Sequence, residues 1–214
     1  EALAWLQLSP NDWRARHARR LLQERSAKGG LDAATKTLLT NLLHPAGGPA
    51  SIAIPTGSVY NHDTRLRVLW TLHACGALEP AAVAQLLDSP QGPEQEYLRA
   101  WAIQLACERA EVNEPLLKTF ARLAKDDPSP VVRLYLASAC QRLTLAERKP
   151  ILDALLTHKE DVADPNLPLM IWYAAEPIVA QDPLAAVAWL ESAAIPKIRE
   201  FIARRMAATA QADR

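Results

Sequence analysis

Apolar residues recur along this chain at the three- and four-residue spacings of an amphipathic helix, in stretches a few turns long. Proline falls between the stretches. Its ring blocks an interior helical hydrogen bond, so a proline between two periodic runs reads as a boundary. Pro45, Pro80, Pro90, Pro115, Pro128, Pro150, Pro165, Pro183 and Pro196 divide the chain in this way. Asp127-Pro128, Asp164-Pro165 and Asp182-Pro183 suit a turn that leads into a capped helix start. The pattern predicts roughly eleven or twelve short helices joined by short turns.

A longer period lies over the helical one. Arg67, Arg99, Arg133, Pro168 and Arg199 follow one another at steps of 31 to 35 residues. The position before each anchor is Leu66, Leu98, Val132, Leu167 or Ile198. Two residues after it stand Leu69, Trp101, Tyr135, Met170 and Phe201, and seven after it Ala74, Ala106, Cys140, Ala175 and Met206. These offsets share one helical stripe, so the sequence predicts the core-facing second helices of stacked helical pairs.

An apolar residue followed by Arg in the second helix of a pair, after an Asp-containing turn, resembles the HEAT repeat. Asp63 before Arg67, and Asp126-Asp127 before Arg133, look like that family's turn acids. The resemblance implies a ladder of Asp and Arg side chains between neighbouring units, drawn from Asp63, Arg67, Arg99, Asp127, Arg133 and Arg199. Pro168 and Pro196 depart from it, because neither supplies the charged group. The first pair, from Asn11-Asp12-Trp13 to Arg25, fits more loosely, as an edge unit does.

Two segments are similar to the helical-repeat region of large bacterial membrane-bound dehydrogenases. One runs from Asn11-Asp12-Trp13-Arg14 to Arg25, the other from Asp164-Pro165-Asn166-Leu167-Pro168 to Glu176-Pro177. Proteins of that family join a sugar-dehydrogenase-like β-propeller, a helical-repeat segment and a C-terminal c-type cytochrome. The resemblance implies an exported or membrane-associated redox protein whose catalysis and haem lie in other domains. The opening Glu1-Ala2-Leu3-Ala4 has no initiator Met, and is taken as a cut from a longer chain. The residues themselves leave the compartment open.

Charge narrows the function classes. Lys+Arg and Asp+Glu balance at 24 each, so the chain lacks the basic excess that drives nucleic-acid binding. It also lacks a polybasic face for anionic lipid, so this segment is expected to make no membrane contact. One local exception stands out: Arg14, Arg16, His17, Arg19, Arg20, Arg25 and Lys28 crowd the first helix. Arg16 and Arg20 share a face there. A solvated face or a docking face is favoured over phosphate binding of the kind DNA-alkylation-repeat glycosylases perform.

Candidate catalytic chemistry is sparse. Cys75, Cys107 and Cys140 recur nearly at the repeat period and read as buried thiols, too far apart for an unstrained disulfide. No C-x-x-C-H occurs, so no haem attaches here, and neither H-E-x-x-H nor any His-Glu dipeptide is present. His73 falls on the predicted core stripe, while His44 and His62 flank a long interruption and can approach each other. Gly29-Gly30 and Gly47-Gly48 read as a helix stop and a loop element. The interruption, 45–61, carries Ile52, Ile54, Val59 and Tyr60, which are unusual on a solvated loop.

The expectation is therefore an all-α, HEAT-like α-solenoid of five or six helical pairs, one domain over 1–214, with an inserted loop at 45–61. Its function is expected to be a non-catalytic scaffold or protein-interaction module without a cofactor of its own. In the favoured setting it orients a dehydrogenase and a cytochrome c domain, its partners being neighbouring protein domains. A stand-alone protein-binding solenoid is the alternative, with a DNA-binding solenoid third. The candidate contact residues are Arg16, Arg20, Ile52, Ile54 and Tyr60.

Overall fold

The computed structural model describes residues 1–45, 48, 51–89, 92, 95–108 and 112–212. Among them it is all-helical, with twelve α-helices, short 3-10 turns and no strand. No helix among them is long and apolar enough to cross a membrane. The chain divides into two compact units, Glu1–Pro90 and Gln91–Arg214. Pro90, expected as a boundary, lies outside the described residues, as do Ala46, Gly47, Pro49 and Ala50 of the expected loop.

The first unit holds α1 (Ala2–Trp5), a 3-10 turn (Leu6–Leu8), α2 (Asp12–Gly29), α3 (Ala33–Leu43), α4 (His62–Ala74) and α5 (Pro80–Leu87). Side-chain caps start three of these helices. Asn11, Asp32 and Asn61 accept from the backbone N–H three residues on, and Thr64 closes a capping box with Asn61. Gly30 ends α2 at φ 80°, a left-handed value that glycine adopts without penalty. The core gathers Leu8, Ala15, Leu39, Leu42, Leu43, Val68 and Leu69, all fully buried. Within it Gln7 is buried too, donating to the Ala15 carbonyl at 3.2 Å and accepting from Thr71 at 3.0 Å.

The second unit holds α6 (Glu96–Glu108), α7 (Glu114–Asp126), α8 (Pro130–Ala139), α9 (Leu145–Leu155), α10 (Leu167–Gln181), α11 (Pro183–Ser192) and α12 (Pro196–Ala212). α6 packs on α8, α8 on α10 and α10 on α12, while α7 packs on α9. Alternate helices are thus neighbours. The anchor-minus-one residues Leu98, Val132, Leu167 and Ile198 are fully buried, as the repeat predicts. The anchor-plus-two residues depart from it: Trp101, Tyr135, Met170 and Phe201 are only half-buried. Each of these helices has neighbours on two sides, which turns the buried stripe toward the minus-one and plus-three positions and leaves plus-two at its edge.

Two prolines depart from the boundary rule. Pro150 and Pro177 lie inside α9 and α10. α9 survives its proline through a strong start, in which Thr144 and Glu147 cap each other's backbone, and through the burial of Ile151, Leu152 and Leu155.

Candidate interaction surface

Arg99 rises from α6 with its side chain 1% exposed and meets Asp127, whose side chain is fully buried, at the end of α7. Nε donates to one carboxylate oxygen at 2.7 Å and Nη2 to the other at 3.2 Å. The same carboxylate accepts from the Ser129 N–H at 3.0 Å, and Ser129 caps α8. One acid therefore closes both the helix pair and the turn. The next repeat builds the same device: Arg133 of α8 donates through Nε and Nη2 to the two oxygens of Asp161, with Nε at 2.7 Å. Its third nitrogen donates to the Asp127 carbonyl at 2.9 Å.

Burial works against the charged guanidinium of Arg133, but the bond and charge of Asp161, with Glu160 and Asp127, raise its pKa. Such a fork-to-fork pair is the strong form of an ion pair, and it fixes register because the geometry is planar. Both pairs join an Arg to the acid 28 residues later, from residue 99 to 127 and from 133 to 161. At the next rung the Arg is replaced by buried Pro168, and the ladder stops.

The rest of the expected ladder is placed differently. Asp63 is exposed and faces its neighbour His62 at 3.2 Å. Arg67 turns instead to Asp12 at 3.3 Å and to the Ser9 carbonyl at 2.8 Å. Arg199 is exposed on α12. Asp161 was absent from the sequence-derived set, although its constant distance from Arg133 marks it.

The candidate contact residues fall in the first unit. Arg16 pairs with Asp12 at 2.6 Å and Arg20 with Glu24 at 3.3 Å, each one turn away on α2. Arg19 is half-buried over the Trp70 ring at 5.4 Å, and burial lowers its pKa. Of the loop, Ile52 and Ile54 are half-buried. Tyr60 donates to the Leu42 carbonyl at 2.8 Å, and the Val59 N–H to the Leu8 carbonyl at 2.8 Å. The described part of the loop thus packs on its own unit. His44 and His62 take separate partners, the Ala82 carbonyl at 3.0 Å and Asp63.

No protein-family model, curated protein or solved structure matches the chain. Its own geometry must carry the reading. The largest concave feature described in the second unit is a groove of about 370 Å³ across α6, α8 and α10. Tyr135, Leu169, Met170 and Tyr173 supply its apolar lining, and Gln104, Ser138 and Asn166 its polar groups. Tyr97 and Tyr173, on either side of Tyr135, are largely exposed. The three tyrosines stand at a constant step of 38 residues, one helix apart each time. That diagonal is readable in the sequence, but a search anchored on Arg passes over it.

Beside the groove, Cys107 and Cys140 are buried, and burial pushes their thiols up to about 11 and about 12 respectively. Neither is a thiolate near neutral pH, so neither is primed as a nucleophile. Among the described residues no cluster of His, Cys, Asp and Glu has the makings of a metal site.

Proposed function

We propose that this chain is a HEAT-like α-solenoid segment acting as a non-catalytic scaffold that holds neighbouring protein domains in a fixed arrangement. The observation that carries the reading is the pair of buried Arg–Asp forks repeated at one 28-residue interval. Forks of this kind tie each helical pair to the next and resist sliding between them. The resemblance read from the sequence makes the neighbours a dehydrogenase propeller and a c-type cytochrome of an exported redox protein. A spacer of set geometry would there fix the distance over which electrons pass. The pairing of Arg16 with Asp12 and of Arg20 with Glu24 weighs against a phosphate-binding role.

The tyrosine-lined groove favours a second reading, in which the segment recognises a separate protein. Tyrosine over amide and hydroxyl groups is the composition of many recognition surfaces, since it offers contact area with few side-chain rotors. Isolating the native polypeptide, with its haem content and intact mass, tests the two readings. A covalently bound haem on a chain that also carries a strand-rich dehydrogenase domain upholds the redox scaffold. A native chain with neither overturns it in favour of the stand-alone binding module.

A further inference from the structure

We propose that the α1–α2 face of the first unit is a docking site for an acidic protein segment that seats one aromatic or long aliphatic side chain beside Trp13. The site is distinct from the ladder and the groove of the second unit. Trp13 lies in the first turn of α2 with 69% of its surface in water, although a side chain of this size usually buries most of its area. It stacks flat on His17, with ring centroids 5.1 Å apart and planes 5° from parallel. The pair walls a groove of about 280 Å³ whose apolar lining is Leu3, Leu6, Ala18 and Leu21. That volume suits one bulky side chain rather than a drug-sized ligand.

Charge identifies the occupant. α2 carries six basic residues, Arg14, Arg16, Arg19, Arg20, Arg25 and Lys28, against two acids, Asp12 and Glu24. The surplus is four positive charges on one helix of a chain whose net charge is zero. Among the described residues Arg14, Arg25 and Lys28 have no carboxylate partner, and Arg14 lines the groove itself. A polypeptide with acidic residues beside an aromatic or aliphatic anchor satisfies both the apolar lining and the charge. A nucleic-acid backbone satisfies the charge alone, and it would have to break the Arg16–Asp12 and Arg20–Glu24 pairs to use those arginines.

The test is to pan a random peptide library displayed on phage against the full chain, counter-selecting on the Trp13→Ala variant. Because Trp13 is exposed, that variant is expected to melt with the parent, which circular dichroism checks. Enriched peptides should be acidic and carry Trp, Phe or Leu. Their affinity should fall about tenfold or more on Trp13→Ala or Arg14→Glu, survive Trp13→Phe, and weaken as salt rises. The proposal is overturned by failure to enrich any sequence, by enriched sequences without acidic bias, or by affinity indifferent to Trp13. A duplex oligonucleotide that binds at the same salt, and is released by Arg16→Ala with Arg20→Ala, also overturns it.

Discussion

The two units use Arg in opposite ways. In the second unit Arg99 and Arg133 reach forward to Asp127 and Asp161, in pairs at most 3% exposed on either side. In the first unit Arg67 reaches back to Asp12 at 3.3 Å, with the acid 46% exposed, and spends another nitrogen on the Ser9 carbonyl. The first unit's interior is joined instead by a neutral amide, Gln7, between Ala15 and Thr71. The same apolar-Arg sequence element thus becomes a buried ladder only where a turn acid stands 28 residues ahead. Without that acid, the guanidinium stays near the surface and caps whatever carbonyl is close. This matters because a buried unpaired charge is far costlier than an exposed one.

The largest effect should come from Asp161→Ala, which leaves the Arg133 guanidinium buried with only the Asp127 carbonyl and the more distant Glu160 beside it. A loss of about 3–5 kcal/mol is expected in a urea titration, a large share of a domain's stability. Replacing both partners together, Arg133→Leu with Asp161→Leu, should recover most of that loss, because an apolar pair needs no compensating charge. If the double variant is as unstable as Asp161→Ala, the fork is worth more than its desolvation. The contrast between the units then widens.

Next in size is Arg67→Ala, at about 1–2 kcal/mol, since it removes one charge-assisted bond to a carbonyl and a half-exposed ion pair. Asp12→Ala should cost less still, because Asp12 also serves the exposed Arg16 and both pairs are screened by water. Thermal melts of the two variants give the order. Equal losses for Arg67→Ala and Asp161→Ala would erase the distinction between surface and buried rungs.

Much of the fold was legible because helical periodicity depends on the sequence locally. The prolines, the minus-one apolar slot and the Asn, Asp, Ser and Thr caps all declare themselves within a few residues. What failed were inferences about partners across helices. The sequence pairs each acid with the Arg that follows it, as in Asp63 with Arg67, but the carboxylate of Asp127 belongs to the Arg 28 residues before it. Arg133 does reach Asp127, through the backbone carbonyl rather than the side chain. The half-exposed edge at Trp101, Tyr135 and Met170 was likewise read as core, since a helical wheel knows nothing of neighbours on two sides. Trp13 was hidden by its setting, a helix whose charges drew the attention.

The smallest expected effect separates the units by pH. In the first unit His44 is half-buried, and burial, with Arg65 adding to it, lowers its pKa below the ordinary 6.5 although the Ala82 carbonyl pulls the other way. The unfolded chain therefore binds the proton at a higher pH than the folded one. Stability from this site is present above about 6.5 and is lost as pH falls from there through the folded value. In the second unit Glu160 is depressed below its ordinary 4.5, chiefly by its bond to His158 at 2.6 Å. Its contribution is present above 4.5 and is lost as pH falls through the folded value. Amide exchange followed from neutral pH downward should show the first unit loosening before the second reaches the carboxylate range. His44→Gln should remove the earlier step and leave the later one, which Glu160→Gln removes in turn. If both units loosen together in the wild type, they unfold as one cooperative body.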